Sequence, residues 1–169
     1  MRTVLLTIVV LLSGCSKAAL SDSELIQQHD SPKRHHITEK PYIIKGELYV
    51  PQLHYRYDAI GEASWYGKDD HGKPTATQTI FNKHNMTAAH RTLPIPSVVL
   101  VTNLQNKRRV RLLVNDRGPF AKTERRIIDV SEAAARALGF HSAGKALVHV
   151  RCIPAASRQV AHEYNKKPY

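Results

Sequence analysis

A mainly β domain, a compact barrel of short strands with one clear helix, is what this sequence predicts, and three observations carry that reading. Short runs rich in Val, Leu, Ile and Thr recur between residues 61 and 153, Gly, Pro and Asn punctuate them, and a single alanine-rich stretch has the end signals of a helix. In chain order, residues 61–66 read as a strand, followed by a loop holding Gly67, Gly72 and Pro74. Residues 98–103 and 109–115 are β-rich runs joined through Gln105-Asn106-Lys107, where the asparagine suits the positive φ of a tight hairpin turn. Residues 129–139 predict the helix: Asp129 and Glu132 have capping-box spacing, the alanines favour helix, and Gly139 suits its C-terminal stop. Residues 146–153 alternate Leu147 and His149 against Val148, Val150 and Cys152, the period of a strand with one buried face. No repeat at solenoid period is visible.

Composition narrows the class. The 169 residues suit one ordinary domain, and 42% hydrophobic with 23% charged residues excludes both a disordered polymer and a membrane bundle. Lys and Arg number 25 against 14 Asp and Glu, a formal net charge of +11, which favours anionic partners without choosing among them. The only cysteines, Cys15 and Cys152, exclude a disulfide scaffold unless they pair with each other. Apolar Val150 and Ile153 around Cys152 mark it as a small core residue rather than a reactive thiol.

The N-terminus speaks to compartment. Met1-Arg2 supplies positive charge, and the apolar run from Val4 to Leu12, broken only by Thr7, is far shorter than the roughly 20 residues that cross a bilayer. It ends in Leu12-Ser13-Gly14-Cys15, which resembles the bacterial lipobox. That resemblance implies a signal peptide over residues 1–14, lipidation of Cys15 and a body working in the periplasm, and Ser16 after the cysteine implies the outer membrane. Multiple acyl chains would anchor the protein far better than one. Residues 15–60, with Pro32, Pro41 and Pro51 and no sustained period, read as a tether, except that residues 42–50 are expected to form a turn or strand on the domain. Residues 154–169 read as a polar, basic tail.

Four blocks then stand out: Ala63-Ser64-Trp65-Tyr66-Gly67; His71-Gly72 with Thr75-Ala76; Thr87-Ala88-Ala89-His90-Arg91-Thr92-Leu93-Pro94; and Val114-Asn115-Asp116-Arg117-Gly118-Pro119-Phe120. Arg126-Ile127-Ile128-Asp129-Val130-Ser131 and the alanine helix complete the set. In this order and behind a lipobox, the blocks resemble the rare lipoprotein A (RlpA) family. The resemblance spans residues 61–153 and implies a six-stranded double-psi β-barrel with one or two short helices, a fold shared with expansins and related endoglucanases. It also implies a lytic transglycosylase that cuts peptidoglycan glycan strands lacking stem peptides and leaves 1,6-anhydro ends.

The residues supply a chemical rationale for that activity. Cleavage needs a carboxylic acid to protonate the leaving oxygen and a base to take the proton of the sugar's own 6-hydroxyl as it attacks the anomeric carbon, and one carboxyl can serve both steps in turn. Asp116 is the candidate, since it follows the apolar run Leu112-Leu113-Val114 and opens a Gly-Pro turn. The same Asp before Arg-Gly-Pro would also serve as a turn former bonding its own loop amides. Arg117 either contacts substrate oxygens or ion-pairs with Asp116, which would weaken it as an acid. His90, as a second catalytic residue, and His71, as a binding residue, are each expected to hydrogen-bond a carboxylate or sugar hydroxyl and to titrate near neutrality, against the alternative of a structural role. Trp65 and Tyr66 either stack on sugar faces, or Trp65 packs in the barrel and Tyr66 alone is exposed.

The sequence departs from the family at two places. Active members carry Gly-Glu after the Thr-Ala pair, and Thr79 stands at that glutamate here; Asp70 replaces an aromatic residue before His71-Gly72. Either Asp69 or Asp70 substitutes for the missing carboxyl, Asp116 alone supports slow turnover, or the barrel is a glycan-binding lipoprotein. Both Asp70 and Thr79 are carried as groove residues. Residues 154–169 are too few for the C-terminal peptidoglycan-binding domain of longer members. No nucleotide-binding glycine fingerprint, serine-nucleophile elbow or zinc-ligand cluster occurs, so no cofactor or metal is expected. Nucleic acid is not an expected partner: Arg109 and Arg111 alternate with Val110 as a solvated strand face does, and the protein is expected to be exported. The expected partners are glycan strands and, through the anchor, the membrane.

Overall fold

The computed structural model describes residues 20–21, 24–25, 40–67, 69–120 and 125–166. The expected signal peptide and Cys15 lie outside the described residues. A hairpin of β1 (Tyr42–Ile44) and β2 (Glu47–Tyr49) precedes the barrel, in keeping with the strand expected there. The barrel strands are β3 (Asp58–Tyr66), β4 (Thr87–Ala89), β5 (Ser97–Asn103), β6 (Arg109–Asp116), β7 (Arg126–Ser131) and β8 (Lys145–Cys152). Helix α1 (Glu132–Leu138) follows β7, and α2 (Pro154–Lys166) follows β8.

The sheet closes in the order β3-β7-β4-β6-β5-β8. Two neighbour pairs, β3 with β7 and β4 with β6, run parallel, and the other four are antiparallel. Period-two alternation sorts the side chains: Val99 and Val101, Leu112 and Val114, and Val148 and Val150 point inward and are fully buried, together with Ile128 and Val130. Cys152 belongs to the same core, where burial pushes its thiol pKa up, as an unreactive core cysteine requires.

Five sequence expectations are corrected. The first barrel strand begins at Asp58 rather than Gly61, because Asp58 to Ser64 pair in register with β8. Residues 154–166, expected as tail, form α2, whose Ala156, Val160 and Tyr164 cover Val98 and Leu113 on the outside of the barrel. Leu25, within the expected tether, is fully buried in this second cluster. The helix cap is Ser131, which accepts the Ala134 N–H at 3.2 Å, and Asp129 lies in β7. In the β5–β6 turn, positive φ falls on Lys107 (61°), while the Asn106 side chain accepts the Arg108 N–H at 3.0 Å and donates to the Leu138 carbonyl at 2.9 Å. Gly139 does end α1 as expected, at φ 77°, where a Cβ would lie 2.7 Å from Asn106 Nδ2.

Candidate active site

Asp116 is the last residue of β6, and the register of the wall fixes its neighbours. Ala89 of β4 pairs with Asp116 on one side and with Asp129 of β7 on the other, and Asp129 pairs in turn with Ser64 of β3. Laterally paired residues project to one face. In the adjoining row, Ala88, Val114 and Val130 are the buried core set, so Asp129 stands on the opposite, outward face, and a register irregularity between Ala88 and Ala89 brings Asp116, two residues after Val114, opposite Ala89. The long loop between β3 and β4 is strapped to β6 by hydrogen bonds from Thr77 N–H to the Asn115 carbonyl, 3.2 Å, and from Ala76 N–H to Asp116 Oδ1, 2.9 Å.

Oδ1 of Asp116 also accepts the Arg117 N–H, 2.8 Å, so one carboxylate oxygen takes both backbone bonds. Burial raises the pKa of this carboxyl, opposed by those two amides, and the charge of Asp70 raises it further. The charge of Arg117 lowers it, while that side chain also donates to the Leu93 carbonyl at 2.5 Å and lies over the Tyr42 ring at 5.7 Å. Asp116 therefore combines the turn bonds of the structural alternative with the raised pKa that an acid needs.

His90 is 3% exposed, and its Nδ1 accepts the N–H groups of Thr92, 3.1 Å, and Leu93, 2.9 Å, which leaves its proton on Nε2. Burial first, then the charges of Arg117 and Arg91, lower its pKa to about 3. The expectation that it titrates near neutrality is thus corrected: it is a neutral loop organiser, and its own N–H bonds the Asp116 carbonyl at 3.1 Å. His71 lies on an exposed turn, where its Nδ1 accepts the Lys83 N–H at 3.4 Å and its ring meets His84 edge-on; no hydrogen bond joins it to Asp116 or His90 among the described residues.

Thr79 is 2% exposed and its hydroxyl is shared among Thr75, 2.8 Å, Thr77, 3.1 Å, and the Asn115 amide, 3.2 Å. The structure places it inside the strapped loop rather than at a surface. Asp70 is half-exposed and pairs with Lys73 at 3.3 Å, close enough to the wall for its charge to raise both Asp116 and Asp129. Trp65 stacks on His141, centroids 4.4 Å apart, and donates from Nε1 to that residue's carbonyl at 3.1 Å. Tyr66 stacks on Phe81, also at 4.4 Å, with its hydroxyl buried. Both residues are intermediate in burial, and Trp65 also packs against the barrel core.

Asp129 is the residue that sequence reasoning missed. Its side chain is 18% exposed, it accepts a hydrogen bond from the Ser64 hydroxyl, and Arg126 Nε lies 3.5 Å away. Burial raises its pKa against the lowering by Ser64, Arg126 and Arg91. The alternation of buried Ile128 and Val130 around it was the available signal; its capping-box spacing to Glu132 pointed elsewhere. Among the described residues, no cluster of His, Cys, Asp and Glu could hold a metal ion.

A closed six-stranded barrel with two parallel pairs, matched by the family's model, defines a double-psi β-barrel protein. The model of the lytic transglycolase family matches residues 58–150, and the chain belongs to that family, in its RlpA branch. The Rickettsia felis protein named endolytic peptidoglycan transglycosylase RlpA is 40% identical over 185 residues, 99% of this chain and 80% of the relative. Its Rickettsia prowazekii namesake is 41% identical over 171 residues, 93% of this chain and 53% of the relative. That of Pseudomonas aeruginosa is 46% identical over 123 residues, 72% of this chain and 36% of the relative. The chain thus spans about half the length of the Rickettsia prowazekii relative it matches.

Proposed function

We propose that this chain is an endolytic peptidoglycan lytic transglycosylase acting on glycan strands without stem peptides, with Asp116 as the proton donor to the departing glycosidic oxygen. The observation that carries the reading is the state of Asp116: one oxygen is pinned by two backbone amides, and burial holds the carboxyl above its ordinary pKa against those amides and the charge of Arg117. A carboxyl so tuned keeps its proton closer to working pH, and rigid backbone bonds fix where that proton points. The names of the RlpA relatives support the same chemistry.

Digestion of purified denuded glycan strands tests it. Wild type is expected to release 1,6-anhydro-muramyl products well above the Asp116→Ala background; equal release from both rejects the proposal. The same reading places the protein in the periplasm, held to the outer membrane through lipid on Cys15. Cys15→Ala is then expected to move it from the membrane to the soluble fraction, and a variant that stays membrane-bound rejects the anchor.

A further inference from the structure

The alternation that fills the core turns every second residue of β8, β5 and β6 to the outside of the barrel. Register sets these outward residues in rows. Helix α2 covers the row of Val98 and Leu113. In the next row Arg151 and Arg111 flank Leu100, and in the row after it Ile60, His149, Thr102 and Arg109 lie side by side.

Three arginines thus share one sheet face. Arg151 and Arg111 stand two strand spacings apart, about 10 Å, and Arg109 is about 7 Å from Arg111 along β6. Arg109 and Arg151 are exposed, and exposed Lys107 and Arg108 in the β5–β6 turn extend the charge past Arg109. The acidic groups keep to the β3 margin: Asp58 pairs with His149 at 2.5 Å, and Glu62 lies opposite Leu147. Ile60 is 63% exposed and Leu147 53%, so two bare aliphatic side chains border the arginines.

A strand-like polyanion is matched by a groove with cations in file along it. Here the cations spread over the outer wall of a closed barrel, and aliphatic groups protrude beside them. A phospholipid surface matches both features: guanidinium groups meet headgroup phosphates, and aliphatic tips enter the headgroup boundary, whereas a hydrated polymer offers them no apolar phase. We propose that this face docks the barrel on an anionic phospholipid membrane, with Arg109 and Arg151 as the principal phosphate contacts and Ile60 and Leu147 as the aliphatic ones. Arg109 and Asp116 stand at opposite ends of β6, about 23 Å of strand apart, so docking at the arginine end leaves Asp116 uncovered. The inference holds whether or not the chain is a transglycosylase, and it does not depend on lipid at Cys15. Such a contact is reversed by salt, so fractionation at high salt still isolates what lipid on Cys15 contributes.

Vesicle flotation tests it, with the full chain carrying Cys15→Ala so that no attached lipid contributes. The probes are phosphatidylcholine vesicles with and without phosphatidylglycerol; apolar residues of the N-terminal run add equally to both. The chain is expected to prefer the anionic vesicles and to lose that preference as salt rises. Adding Arg109→Ala and Arg151→Ala is expected to weaken binding to them about fivefold for each arginine, about 30-fold together. Ile60→Ser with Leu147→Ser is expected to weaken it as well, with the salt dependence kept. Lys40→Ala with Lys45→Ala removes the same charge from elsewhere and is expected to weaken it only slightly. No preference for anionic vesicles overturns the inference, and so does an equal loss in the lysine variant, which would make net charge the cause. Unchanged binding after loss of the two aliphatic side chains overturns it in favour of a purely ionic partner. An arginine variant that keeps vesicle binding but no longer sediments with purified sacculi overturns it in favour of a wall polymer. If the double arginine variant does not fold, Arg151→Glu alone, at an exposed position, is expected to weaken binding about 30-fold, and unchanged binding overturns the inference.

Discussion

Arg117 follows Asp116 directly in the chain, and its guanidinium donates to the Leu93 carbonyl at 2.5 Å, with those of His90 and Arg91 at 3.4 and 3.3 Å. The arginine is a tie between the end of β6 and the loop that holds His90. Burial raises the pKa of the adjacent carboxyl against two amides and the charge of Arg117.

Asp116→Asn is therefore expected to abolish product release without loss of stability at neutral pH. A carboxyl whose folded pKa is raised contributes stability in full below its unfolded value, and loses it as pH rises through the folded one. At neutral pH the charged, buried carboxylate is a cost, and asparagine retains an oxygen for the Ala76 and Arg117 amides. Urea unfolding at neutral pH should find the variant as stable as wild type or more so. A loss above about 1 kcal/mol would mean that the charge supports the fold.

His90 gives the opposite dependence. Its folded pKa, about 3, lies below the ordinary 6.5, so its stabilising contribution is present above 6.5 and is lost as pH falls toward 3. The expected slope is about 1.4 kcal/mol for each pH unit below the ordinary histidine value. His90→Asn, which cannot ionise, should flatten this part of the urea-midpoint curve. Equal slopes in both proteins would show that the imidazole is not buried in its neutral form.

Much of the barrel was legible because one-sided burial writes a period of two: Val99 and Val101, Leu112 and Val114, Val148 and Val150 all announce their strands. Strand β4 was not, since Thr87, Ala88 and Ala89 are all buried and carry no alternation. Helix α2 buries Ala156, Ser157, Val160 and Tyr164, a helical spacing made of small and polar residues that reads as a tail. At the site, Asp116 could be found from its turn. Asp129 could not be joined to it, because the pairing runs through Ala89 on a third strand, a relation that register alone determines.

Gln78 occupies φ 64°, the left-handed region, inside the strapped loop. Leaving αL strain costs a non-glycine residue about 1–2 kcal/mol, against roughly 0.5–1 kcal/mol of extra chain entropy that glycine loses on folding. Gln78→Gly should consequently stabilise the protein modestly, by up to about 1 kcal/mol. A lowered thermal midpoint would mean that the glutamine side chain, rather than the backbone, holds the loop.

Thr79→Glu, which restores the family's carboxyl, is expected to damage this protein rather than activate it. The Thr79 hydroxyl is enclosed by those of Thr75 and Thr77 and by the Asn115 amide, none of them a cation. A glutamate there either buries a charge without a partner, at a cost of about 3–5 kcal/mol, or forces the loop off β6. Loosening the loop withdraws the Ala76 amide from Asp116 and so impairs the acid as well. The variant should unfold at lower urea than wild type, recover part of the difference at acid pH where the new carboxyl is neutral, and release no more anhydro product. A variant more active than wild type would show that the loop opens to admit a second acid at this position, and that the hydroxyl cluster is not what fixes it.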